Sequence, residues 1–211
     1  MTDSSTRSSP IRNGPDGPYL PVPGHDLRLT LWREADVDDA VSLFNHPVIG
    51  RWSIARPYPY TEAHFGFIAS SIPQITQLAQ TMGREEDAPP VLAKLAEVPL
   101  FPLSALRDTN GRVVGFCSIA KSQKEEGSWE IAYDVHPELQ GKGVGTAMLR
   151  TMLGCATWLG MERVIAFVDP DNIPSAALLR KVGFTSVQQR ILEGQGHGDH
   201  LTLFNVFELM L

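Results

Sequence analysis

Between Asp134 and Ala147 the chain reads Asp-Val-His-Pro-Glu-Leu-Gln-Gly-Lys-Gly-Val-Gly-Thr-Ala, with glycines at 141, 143 and 145. This stretch leaves an alternating run, Ser128 to Val135, and enters an amphipathic helix expected over about 144–159. Glycines so spaced let successive backbone N–H groups converge with no Cβ in the way, and the helix that starts there adds the positive end of its dipole. Such a turn suits an anion, with a pyrophosphate as the usual occupant. The same spacing also serves a tight turn whose glycines meet geometry alone. In either case strands and helices must interleave around one sheet, which makes the chain a mixed α/β domain.

Two nucleotide-binding loops fail on spacing. A G-x-x-x-x-G-K-[ST] loop needs Gly at 136 and Ser or Thr at 143, where His136 and Gly143 stand. A G-x-G-x-x-G fingerprint needs Gly at 146, where Thr146 stands.

The remaining elements follow from periodicity. Residues 1–26 carry Pro10, Pro15, Pro18, Pro21 and Pro23 among serines and glycines, and read as a flexible Pro-rich arm. Leu27, Leu29 and Leu31 alternate with polar neighbours as a strand with one buried face. Val37, Ala40, Val41 and Phe44 then recur at helical spacing, with Asp36 as a candidate N-cap and Pro47 as the stop. A second helix starts near Thr61, and 73–99 reads as a partly helical insertion. Strands are expected over about 100–107, 112–120 and 128–135, the first two joined by the hairpin signal Asn110-Gly111. A strand at 163–168, a short helix at 174–182 and two strands at about 184–192 and 200–210 complete the chain.

Eighteen Lys+Arg against 24 Asp+Glu give a net charge of −6 with no basic run, which argues against a sequence-independent grip on nucleic acid. Cys117 and Cys155 lie in apolar surroundings and read as buried free thiols of a reducing compartment. The first residues lack the apolar core of a secretion signal, and no apolar run reaches the about 18 residues of a membrane helix. These features lead us to expect a soluble, cytoplasmic protein with no membrane partner.

Gln140-Gly-Lys-Gly143-Val-Gly145 resembles the Q/R-x-x-G-x-G/A signature of the GNAT superfamily of acyl-CoA N-acyltransferases. Further on, Asn172-Ile-Pro-Ser175-Ala-Ala-Leu-Leu179-Arg-Lys181-Val-Gly183-Phe184 is similar to that superfamily's N-x-x-S/A-x-x-x-x-x-K-x-G-F segment. The opening strand and Asn45-His-Pro-Val resemble the Rim-type branch, the ribosomal-protein N-terminal acetyltransferases. The resemblance spans about 27–211. It implies a mixed, mostly antiparallel sheet of about seven strands, splayed between its fourth and fifth strands and flanked by about four helices. Acetyl-CoA would be wedged in the gap as co-substrate, with no metal.

By the same resemblance, the amides of Gly141, Lys142, Gly143, Val144, Gly145 and Thr146 hold the CoA pyrophosphate. Val135 bonds the pantetheine through its main chain, Gln140 braces the turn, and Asn172 contacts the pantetheine from the opposite wall. The reaction implied is direct attack on the thioester by a primary amine of a small molecule or a protein N-terminus. Many members protonate the leaving thiolate with a Tyr seven residues after the Asn; here that position is Leu179, and Ser175 is the candidate in its place. Strand alternation sets Glu130, Ala132 and Asp134 on the face opposite Trp129, Ile131 and Tyr133, which makes Glu130 the candidate base and Asp134 its competitor. The departure at Leu179 also leaves open a non-catalytic acyl-CoA-binding or sensing module.

Gly196-His197-Gly198-Asp199-His200 carries ligand-type residues but falls in an expected hairpin, so no metal is assigned. Trp52, Tyr58, Tyr60 and Phe65 lie where the acceptor side is expected, at least half of them as core. Leu78, Val91, Leu92 and Leu95, if exposed by the insertion, would favour a homodimer.

Overall fold

The computed structural model describes residues 8–53, 56–84, 91–194 and 200–211. Its strands are β1 (Arg12–Gly14), β2 (Gly17–Val22), β3 (Leu27–Thr30), β4 (Ala105–Arg107), β5 (Val113–Lys121), β6 (Trp129–Val135), β7 (Arg163–Val168), β8 (Thr185–Gly194) and β9 (His200–Met210). The helices are α1 (Val37–Asn45), α2 (Pro47–Gly50), α3 (Glu62–Arg84), α4 (Leu92–Leu95), α5 (Val144–Trp158) and α6 (Ile173–Lys181), of which α2 and α4 are single turns.

All nine strands form one sheet in the order β1-β2-β3-β4-β5-β6-β7-β9-β8. The expected class holds, a mixed sheet that is antiparallel except where β6 meets β7. The two strands beyond the expected seven come from the segment read as a flexible arm. There Leu20 pairs with Leu29 and Val22 with Leu27, and both side chains of β2 enter the main core. Pro21 lies beyond Gly17 to Tyr19, the stretch that β1 covers, where an open border tolerates a missing N–H, whereas Pro18 is paired with Asn13 of β1.

Helix α3 runs unbroken through Pro73 and absorbs the start of the presumed insertion. Phe65, Ile68, Ile75, Leu78 and Met82 keep one apolar face on both sides of the proline, so burial outweighs the lost backbone bond. Leu78, Val91 and Leu95 are buried with Leu20 and Val22, and Leu92 packs against them. The exposed apolar face that motivated a homodimer is therefore absent at these residues.

Of the strand expected over 100–107, only Ala105–Arg107 pairs as one. Pro102 offers no N–H, and the Phe101 N–H donates to Ser118 Oγ at 2.8 Å instead of to a backbone carbonyl. Asp36 precedes α1 without capping it through its side chain. Its carboxylate takes the buried Arg107 guanidinium at 2.8 and 2.7 Å and the Arg33 N–H at 2.8 Å. Arg107 spends its other donors on Thr30 Oγ1, Leu31 O and Gly111 O, so all five N–H groups are satisfied.

The sheet carries a core on each face. One packs beneath α5 and α6 with β2 and β3, and the other surrounds Trp32 beneath α1 and α3. Among the described residues no helix is long and apolar enough to cross a membrane. Cys117 and Cys155 are buried free thiols, as expected, and burial pushes both well above the usual thiol range, with the Asp134 carboxylate adding to the shift at Cys117.

The sheet divides between β6 and β7. Trp129 pairs with Val164 and Glu130 with Ile165, and there the parallel ladder stops although both strands continue. Beside the wedge, the loop 122–128 is clasped to β8 through Glu125. Its carboxylate meets Arg190 at 2.7 Å and Gln188 at 3.0 Å, with Arg163 of β7 at 4.0 Å.

Candidate active site

The wedge opens into a cavity of about 1240 Å³. Ladder phase explains its character on the β6 wall. The His136 N–H donates to Val114 O, which places the even residues of β6 in the bonds to β5. The C=O of Ile131 and the backbone N–H and C=O groups of Tyr133 and Val135 therefore face the gap that β7 has left. Gln140 reaches back with its Nε2 to Val135 O at 2.9 Å and so braces the turn against this edge.

At the mouth of the wedge, Gly141 and Gly143 take φ of +72° and +83°, the left-handed region that favours glycine. Gly143 precedes α5 with no side-chain cap, and the first intrahelical bond is Ala147 N–H to Gly143 O. The N–H groups of Val144, Gly145 and Thr146 thus have no partner within the helix. Gly145 faces α6 closely: a Cβ there would lie 3.0 Å from Leu178 Cδ2, whose side chain would have to give by a few tenths of an ångström. The side chain of Val144 is buried in the core, whereas Lys142 is exposed. The β2–β3 turn also reaches this place: a Cβ on Gly143 would sit 3.9 Å from His25 Nε2. These amides form an anion cradle suited to a pyrophosphate, and Gln140, Gly141, Gly143, Gly145 and Thr146 all line the cavity.

On the opposite wall Asn172 caps α6, its Oδ1 accepting from the Ser175 N–H at 3.2 Å. Ser175 Oγ lies 2.7 Å from Tyr133 Oη across the wedge. Burial raises the Tyr133 phenol well above its ordinary pKa; the Ser175 hydrogen bond opposes this, while Cys117 and Asp134 add to it. Leu179 is fully buried.

Glu130 and Asp134 share the face opposite Tyr133, as alternation requires, and both line the cavity. Neither is free. Lys124 Nζ holds both oxygens of Glu130 at 2.8 and 2.9 Å while lying over the Phe167 ring. Asp134 is paired with Arg56 at 2.9 Å, and that guanidinium stacks on Phe44. Trp52, Tyr60, His64 and Phe67 line a further part of the cavity. Tyr60 and Phe65 are core residues around Trp32, whereas Tyr58 is exposed.

Sequence reasoning had not singled out Arg56, Lys124 or His25, and had given Tyr133 no role. Each meets its partner through tertiary placement rather than through a local pattern. No cluster of three or more His, Cys, Asp or Glu suited to a metal is present among the described residues. Residues 196–199 of the histidine-bearing loop lie outside them.

A mixed sheet wedged open beside an uncapped, glycine-built helix start defines the class of this protein as an α/β fold with a cavity between two parted strands. A family model for the acetyltransferase (GNAT) domain matches residues 26–185, and the chain belongs to that family. The chain is 33% identical over 92 residues to a mycothiol acetyltransferase from Pseudarthrobacter chlorophenolicus, a match covering 41% of this chain and 28% of that protein. It is 28% identical over 106 residues to an L-methionine sulfoximine/L-methionine sulfone acetyltransferase from Pseudomonas aeruginosa, covering 49% and 62%. The chain thus spans well under two thirds of the mycothiol enzyme. Among solved structures, the ribosomal-protein-S5-alanine acetyltransferase from Vibrio fischeri superposes with a TM-score of 0.64 at 17% identity, over 91% of this chain and 96% of that one. A phosphinothricin acetyltransferase from Sinorhizobium meliloti, solved with AcCoA, gives 0.59 at 21% identity over 89% of each.

Proposed function

We propose that this protein transfers an acetyl group from acetyl-CoA to a primary amine of a small molecule or a peptide N-terminus. The observation that carries the reading is a single cavity with the uncapped amides of 144–146 at one end, two carboxylates on one face and a serine hydroxyl on the facing wall. In this reading the glycine turn holds the pyrophosphate, the backbone of Val135 and the Asn172 side pair with the pantetheine arm, and Glu130 receives the ammonium proton directly or through water. Ser175 protonates the departing thiolate. Asp134, tethered by Arg56, is the competing base. Incubation with acetyl-CoA and a panel of amino acids, polyamines and peptides, with free thiol followed, tests the proposal. Thiol release that depends on one acceptor class supports it, and absence of both release and CoA binding refutes it.

Leu179 in place of the usual tyrosine, with Glu130 already neutralised by Lys124, favours a second reading as a non-catalytic acyl-CoA-binding module. Tight CoA binding with no turnover across the panel would select it.

A further inference from the structure

We infer that Tyr133 is a positioning residue for Ser175: by donating its phenolic hydrogen to Ser175 Oγ, it turns the serine's own hydrogen into the wedge toward the leaving sulfur. The inference rests on the reading of Ser175 as the acid.

Tyr133 belongs to β6 and Ser175 to the first turn of α6, so their 2.7 Å contact spans the two walls of the wedge. Both residues line the cavity. A hydroxyl carries one hydrogen, so the direction of this bond decides whether the serine can serve the sulfur. If Ser175 donates to Tyr133, it has nothing left to give. If Tyr133 donates, the serine hydrogen is free. The other acceptor near the phenol, Ser175 O, lies at 3.4 Å and competes weakly with a 2.7 Å partner. A chain running Tyr133 O–H to Ser175 O–H to sulfur also polarises each link toward the negative charge that grows on sulfur. Burial holds the phenol in its protonated form, so Tyr133 is present as a donor when the thioester is attacked.

The step balances without further reagents. The amine nitrogen bonds to the acyl carbon as the carbon–sulfur bond breaks and its electron pair passes to sulfur. The Ser175 proton moves to sulfur, and Ser175 is restored through solvent by the proton that the nitrogen released. Tyr133 ends the turnover protonated, as it began. With Leu179 buried, α6 presents no tyrosine at the usual place, and β6 supplies a phenol from the other wall.

The test compares Tyr133→Phe, Ser175→Ala and the double variant in the full chain, by turnover with acetyl-CoA and by the ultraviolet absorbance of the bound CoA thiolate as pH is varied. Loss of one hydrogen bond to the acid predicts a fall in kcat of about tenfold for Tyr133→Phe with KM for acetyl-CoA unchanged. The double variant should fall no further than Ser175→Ala. The bound thiol should titrate at higher pH in both single variants, further in Ser175→Ala than in Tyr133→Phe, a readout that needs no acceptor amine. Equal titration of the bound thiol in wild type and Tyr133→Phe, or losses that multiply in the double variant, would overturn the role of Tyr133. An unaltered thiol titration and unaltered turnover in Ser175→Ala would overturn the acid assignment itself.

Discussion

Gly143→Ala separates the cost of building the anion turn from the cost of using it. At φ +83° an alanine is strained by about 1–2 kcal/mol. Steric crowding adds nothing, because the nearest atom to the new methyl is His25 Nε2 at 3.9 Å. The strained protein has two options. It can hold the left-handed turn and lose that much folding stability, or relax the turn and recover stability while the Val144 N–H leaves its place at the helix start. In the second case the turn must be rebuilt when CoA binds, and the same free energy reappears as weaker binding, roughly 5- to 30-fold in Kd. The two losses, measured by urea unfolding without ligand and by calorimetric titration with CoA, should therefore sum to about 1–2 kcal/mol whatever their division. Gly111→Ala is the control: its φ is +86°, its Cβ also meets nothing, and it lies in the hairpin turn away from the wedge. It should lose stability by a similar amount with no change in Kd. Gly143→Ala with neither quantity altered, or Gly111→Ala weakening CoA equally, would refute the reasoning.

Other parts of the molecule make sharp predictions as well. Arg107→Met strands the buried Asp36 carboxylate and should cost about 3–5 kcal/mol in chemical denaturation, largely recovered when Asp36→Leu is added. Removal of residues 1–22 withdraws Ile11, Leu20 and Val22 from the core, so at about 1.5–3 kcal/mol each the truncated chain should lose roughly 5 kcal/mol or more; an unchanged melting temperature would show that the hairpin is dispensable. His136 has its pKa lowered by burial, with Glu138 opposing and Arg112 and His46 reinforcing the shift. The unfolded chain therefore binds a proton first, and the stability that the neutral imidazole contributes is complete above about pH 6.5 and lost as pH falls through the lower folded value. His136→Gln should flatten the fall in melting temperature across that range.

Much of the architecture was legible because period and punctuation agreed. The alternation of β6, the Asn110-Gly111 turn and the apolar helix after Gly145 each act over a few residues, and the family resemblance carried by the two motifs implied a wedge between β6 and β7. The proline-bearing β2 was not legible, since its strand character comes from pairing with Leu27 and Leu29 rather than from its own residues. Pro73 likewise suggested a break that the continuing apolar face of α3 overrides. At the site, alternation placed Glu130 and Tyr133 on opposite faces. The partners that define their chemistry, Lys124 on a loop and Ser175 on α6, depend on tertiary placement, which the strand's own sequence does not encode.

Glu125 gives the wedge a mechanical character. Two residue pairs join β6 to β7, so the β7–β9–β8 leaf meets the rest of the sheet over a very short seam. The acidic loop that grips Arg190 and Gln188 sits beside the start of that seam, at the closed end of the wedge. It pins the closed end of the wedge like a rivet, while Val135 and Val168, at the far ends of the same two strands, have no ladder partner in each other. High ionic strength, which screens such ion pairs, would weaken this clasp while leaving the backbone ladder beside it intact.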